Sequence, residues 1–140
     1  MIIDYAERCL DQDKVKVPKM GDWIPPHPEI LKFNVGGSAK GSPGQAGIGG
    51  VLRDQSGRVL CLFSVYVGCQ DAIIVELLAI VIACDMCVLK NELSEKKVII
   101  NSDSKNAVSW INNSGLRNIN FMQLIYNIRH SIFEFGQMSV

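Results

Sequence analysis

The chain has 140 residues, 48% of them hydrophobic and 20% charged, a size and mix that suit one folded domain and exclude both two full domains and the charge-rich profile of disorder. Fourteen basic and fourteen acidic side chains cancel, so no global field draws in a polyanion, and nucleic-acid binding needs a local patch or a metal. The five cysteines, Cys9, Cys61, Cys69, Cys84 and Cys87, are odd in number and irregularly spaced. That is the pattern of a reduced, intracellular protein, nuclear or cytoplasmic, and the charged N-terminus lacks the apolar stretch of a secretory signal.

Residues 1–21 show no sustained period and are expected to form an N-terminal tail, with a domain over residues 22–140. Trp23-Ile24-Pro25-Pro26-His27-Pro28 is an extended, proline-rich lead-in. Leu31, Phe33 and Val35 then alternate with Lys32 and Asn34, which predicts a strand with one buried face. The run from Gly36 to Gly44 reads as a glycine-rich loop with accessible amides. Ala46 to Leu52 and Arg58 to Val67 read as two more strands, joined by a turn at Arg53-Asp54-Gln55-Ser56-Gly57.

From Asp71 to about Asn91 the sequence is apolar on too many sides for a surface helix. Glu76 and Asp85 interrupt it and it is short for a span, so it is expected to be a buried helix capped by Asp71, with no membrane partner. Lys97-Val98-Ile99-Ile100 predicts a buried strand, and Asp103-Ser104 a cap for a helix through Trp110 and Ile111. Met122, Ile125, Tyr126, Ile128, Arg129, Ile132 and Phe133 recur at helical spacing, and Gln137 to Val140 suggests a strand cut short. The order predicts an α/β fold with a mixed sheet: three antiparallel strands, then helix-linked strands.

Two acids stand out. Glu76 sits in an otherwise apolar helix and Asp103 at the end of a buried strand, where side chains converge on a sheet edge. Each also has a plainer role open to it, Glu76 in a solvated groove and Asp103 as a helix cap. Cys84-Asp85-Met86-Cys87 has CxxC spacing, but with no second pair inside an apolar helix it reads as two buried thiols. His27 and His130 share no ligand spacing.

Trp23-Ile24-Pro25-Pro26, the run Leu31 to Gly44, Ala46-Gly47-Ile48-Gly49-Gly50-Val51-Leu52-Arg53-Asp54, Glu76-Leu77-Leu78-Ala79-Ile80 and Ser102-Asp103-Ser104-Lys105-Asn106-Ala107-Val108 occur in that order. Together they resemble the plant ribonuclease H-like domains related to retroelement reverse transcriptases, over about Trp23 to Val140. The resemblance implies an RNase H-like mixed sheet and a nuclease for the RNA strand of RNA/DNA hybrids. There two magnesium ions clamp the phosphodiester between four carboxylates. Glu76 matches the second carboxylate and Asp103 the third.

The other two do not match. The family reads Phe-Asn-Val-Asp-Gly-Ser where this chain reads Phe33-Asn34-Val35-Gly36-Gly37-Ser38, so Gly36 replaces the first metal-binding aspartate. The chain ends at Val140, before the family's last strand is complete and before the helix that carries the fourth acid. The asparagines that contact the hybrid in the family are Ile73 and Ala72 here. These departures imply impaired catalysis, with Glu76 and Asp103 as a remnant that holds magnesium weakly or not at all; Asn34, on the face of Gly36, offers a neutral oxygen without charge. The resemblance leaves Gly37, Ser38, Lys40, Gly41, Ser42 and Gly44 to follow a nucleic-acid backbone, either an RNA/DNA hybrid or double-stranded RNA. The alternatives are an active hybrid nuclease with an unconventional site, and a protein-interaction module that pairs with another protein or itself through the truncated edge.

Overall fold

In the computed structural model of the chain, residues 6–9, 29–41, 43–93, 95–113 and 121–140 are described. Six strands form one mixed sheet: β1 (Ala6–Cys9), β2 (Ile30–Gly41), β3 (Gly44–Arg53), β4 (Val59–Gln70), β5 (Lys97–Ser102) and β6 (Met138–Ser139), in the spatial order β1-β4-β3-β2-β5-β6. The β2–β3 and β3–β4 pairs are antiparallel and β2–β5 and β5–β6 parallel. Three helices, α1 (Ala72–Leu89), α2 (Lys105–Asn112) and α3 (Met122–Phe135), share one core with the inward side chains of these strands. This is the α/β arrangement that the hydrophobic pattern predicts, and its last strand amounts to Met138 and Ser139, paired with Val98 and Ile99. Residues 6–9, inside the segment expected to be a tail, pair with β4 instead, Ala6 against Ser64 and Cys9 against Cys61.

Period-two burial runs through the first strands: Leu31, Phe33 and Val35 face the helices while Lys32 and Asn34 face away. The glycine-rich run beyond them is not a loop. β2 continues to Gly41 and β3 begins at Gly44, with Gly36 opposite Gly49 and Gly37 opposite Ile48. Strand pairing there goes unmarked by apolar residues because the run's packing needs absent side chains, not large ones. A Cβ at Gly50 would strike the rings of Phe33 and Phe63, which lie 5.8 Å apart. The β3–β4 turn is built by Asp54, whose Oδ1 accepts from the amides of Ser56 and Arg58, both 2.9 Å, and from the Ser56 hydroxyl at 2.8 Å. Gly57 completes it at φ 86°, a left-handed conformation suited to glycine.

Helix α1 is long and apolar enough to cross a membrane by length and composition, and here it lies across β2 and β3 and against α3. Leu77, Ala79, Ile80, Ala83, Cys84 and Cys87 are wholly buried. Asp71 stands at its N-cap position, but its side chain makes no capping hydrogen bond, so the expected cap is absent. Burial, not capping, holds this helix.

Ser104 does cap α2, its Oγ accepting from the Ala107 amide at 3.3 Å. On α3 the buried apolar side chains are Ile125 and Ile128, beside buried Ser131 and partly buried Ile132, whereas Met122, Tyr126 and Phe133 are exposed and do not join the core. Their helical spacing was a broader stripe than the one the core uses.

Candidate nucleic-acid and carboxylate site

Gly37 fixes where α1 can lie. A Cβ there would overlap Val75 Cγ1 and stand 3.1 Å from Ile48 Cγ2, so only glycine lets the helix approach β2 this closely. One residue after Val75, Glu76 thereby reaches the Gly37 amide, which donates to its carboxylate. Burial pushes the Glu76 carboxyl above its ordinary value, the charge of Asp103 raises it further, and the Gly37 amide acts against both. Glu76 Oε2 is buried and has no hydrogen-bond partner. The fold therefore brings Glu76 on α1 and Asp103, just after β5, within electrostatic reach.

Gly36 is placed differently. Its neighbours Val35 and Gly37 face the helices, so position 36 faces the other side of the sheet with Asn34, and a Cβ there meets nothing within 4 Å. The space is open and no side chain fills it. Asn34 Oδ1 accepts from Asn101 Nδ2 at 3.3 Å across the β2–β5 pair. Among the described residues no group of three His, Cys, Asp or Glu side chains could hold a metal. The donor set thus does not fit a two-magnesium clamp, which needs several carboxylate oxygens converging on both ions.

The other residues expected to touch nucleic acid lie on one hairpin. Gly37, Ser38, Lys40 and Gly41 are on β2, Gly44 opens β3, and Ser42 is outside the described residues. Ser38, Lys40 and Gly41 are exposed, and Gly41 adopts φ 97°. A Cβ at Gly44 would collide with the Lys40 carbonyl, so this tight turn also requires glycine. Cys84 and Cys87 are buried, and burial pushes the Cys87 thiol up to about 12 and that of Cys84 still higher, which makes both inert toward metal or redox chemistry at neutral pH.

Sequence reasoning missed Asn101, which holds Asn34; its signal was its place two residues before Asp103, near the end of β5. It also missed Arg129, read only as part of a helical row, which donates from Nε to the Ile111 carbonyl at 2.8 Å and from Nη2 to the Trp110 carbonyl at 3.1 Å.

The family described as reverse transcriptase-like matches residues 34–140, the stretch that contains most of β2, all of β3 to β6 and all three helices. The chain belongs to this reverse transcriptase-like family. No curated protein matches it. Solved structures similar to this reverse transcriptase-like domain include LC11-RNase H1, isolated from compost by a metagenomic approach and solved in complex with RNA/DNA hybrid. It is 24% identical with a TM-score of 0.71, over 78% of this chain and 81% of that one. The N-terminal RNase H domain of a Mycobacterium tuberculosis protein matches at 18% identity and TM-score 0.70, covering 79% of each chain. The foamy viral protease-reverse transcriptase in complex with RNA/DNA hybrid matches at 16% identity and TM-score 0.63, over 93% of this chain and 20% of that one. The fold is RNase H-like.

Proposed function

We propose that this domain binds RNA/DNA hybrid along the β2–β3 hairpin and does not cleave it. The carrying observation is the divided carboxylate set: Glu76 feels the charge of Asp103, while Gly36 leaves open space where the resemblance calls for an acid. Two carboxylates cannot hold a pair of magnesium ions in the geometry that activates water and steadies the leaving oxygen. Binding asks less. Exposed Ser38 and Lys40, with the exposed backbone of Gly41, offer donors to phosphate and sugar, which set register without reading sequence. Two of the similar structures were solved with RNA/DNA hybrid, which supports this choice of duplex over double-stranded RNA.

The test is fluorescence anisotropy with a labelled hybrid across a salt series. Lys40→Glu is expected to weaken binding about tenfold and to lower the salt slope by about 1; equal binding by parent and variant at every salt concentration contradicts the reading. A second reading, a protein-interaction module, is favoured by Met122, Tyr126 and Phe133, which are 47%, 64% and 84% exposed along α3. Absence of hybrid binding together with concentration-dependent self-association that Phe133→Ser removes is the result that selects it.

A further inference from the structure

We propose that Cys9 and Cys61 are a reversible disulfide site that locks β1 onto β4. The two residues stand directly opposite each other in the antiparallel β1–β4 ladder, at the last of its paired positions. Opposite residues of such a ladder share one face of the sheet, and their Cα atoms lie about 4.5 or 5.5 Å apart according to the hydrogen-bonding position. A disulfide spans Cα separations of about 4.4–6.8 Å, so the backbone register meets its requirement at either kind of position. Cys61 and Phe63 are buried while Leu62 between them is exposed, which places position 61, and with it position 9, on the helix-covered face. The remaining cysteines have no such partner. Cys69 stands opposite Gln45, and Cys84 and Cys87 lie on α1.

The place of β1 in the sheet supplies access. It is four residues long and ends the order of described strands, with β4 as its neighbour, and a segment with so few ladder bonds opens at the low end of a protein's stability range. With β1 lifted, a small-molecule disulfide such as oxidised glutathione exchanges with the pair. One cysteine thiolate attacks a glutathione sulfur, a mixed disulfide forms and one glutathione thiolate leaves. The second cysteine thiolate then attacks the protein sulfur of that mixed disulfide and releases the second glutathione thiolate. The two cysteines are thereby oxidised by two electrons, the glutathione disulfide is reduced, and the two thiol protons end on the two glutathione molecules. The new bond joins positions far apart along the chain, so it restricts the unfolded state and holds β1 in place. In the oxidised form the ladder groups of β4 that face β1 stay paired; in the reduced form they open with it.

The test compares the full chain in oxidised glutathione with the same chain in dithiothreitol. Oxidation is expected to remove two hydrogens by mass, and a chymotryptic digest, which cuts at Phe63 and Tyr66 between Cys61 and Cys69, is expected to yield Cys9 linked to Cys61. The thermal midpoint of the oxidised chain is expected to rise by about 5–15 °C. Hydrogen exchange at the β4 amides that face β1 is expected to slow at least about tenfold, and dithiothreitol reverses every change. Cys9→Ser is expected to lose the mass change, the rise and the slowing together while matching the parent in dithiothreitol, and Cys69→Ser to keep all three. No bond at any glutathione ratio, a bond that joins another pair or two copies of the chain, or a Cys9–Cys61 bond that leaves exchange along β4 unchanged overturns the proposal.

Discussion

Gly36 and Gly37 are adjacent in β2 and face opposite sides of the sheet, so the same substitution has opposite consequences. Gly37→Ala drives a methyl group into Val75 and against Ile48, and is expected to cost about 1–3 kcal/mol. Gly36→Ala meets nothing within 4 Å and removes a glycine from a strand, a gain of roughly 0.5–1 kcal/mol. Urea unfolding of the two variants checks both signs. Glu76 carries a second prediction. Its carboxyl is raised by burial, then by Asp103, so the folded state favours the protonated acid. That stability is fully present below its unfolded value and is lost as pH rises through the raised folded one. Glu76→Gln therefore removes the decline and is expected to raise the thermal midpoint relative to the parent at pH 7 while leaving it little changed at pH 4; thermal unfolding from pH 4 upward measures it. Both acids were legible in the sequence as charges in apolar settings. Their relation to each other was not, because it depends on how closely α1 seats on Gly37, a contact between residues far apart along the chain.

Helix α2 has eight residues and is held at both ends by other groups. Ser104 caps its start, and the Arg129 guanidinium, from α3, accepts duty for the last carbonyls at Trp110 and Ile111 by donating to both. Arg129→Met keeps the side-chain stem and removes the donors, and is expected to cost about 1–3 kcal/mol. Hydrogen exchange should then show α2 opening before α1, and unchanged protection of α2 contradicts this. The start of α2 could be read from Ser104, since capping is a local device. Its C-terminal support could not, because Arg129 lies 18 residues beyond Ile111. The strands divide the same way. Alternation in Leu31, Phe33 and Val35 announced β2, but its continuation through Gly41 had no apolar signal, since glycine there serves close packing and a tight turn.

The sheet as a whole separates two environments: a helix-covered side with Glu76, and an open side with Gly36 and Asn34. A two-ion nuclease needs acids that converge from both, and this chain supplies two at one place and a glycine at the other. The α/β class and the element order were readable because buried and exposed periods differ so clearly between strands and helices. The open side was not, because a face is a product of strand order, and β5 joins β2 only after β3, β4 and α1 have intervened. The most direct test of binding without hydrolysis is one measurement on one set of samples: anisotropy and gel-resolved cleavage of a labelled RNA/DNA hybrid with magnesium, for the parent and Glu76→Gln. The account predicts that the parent binds and leaves the RNA strand intact, and that Glu76→Gln, with its fold at least as stable, behaves the same way. Cleavage by the parent that disappears in Glu76→Gln contradicts it, and shows a working metal site built without an acid at position 36.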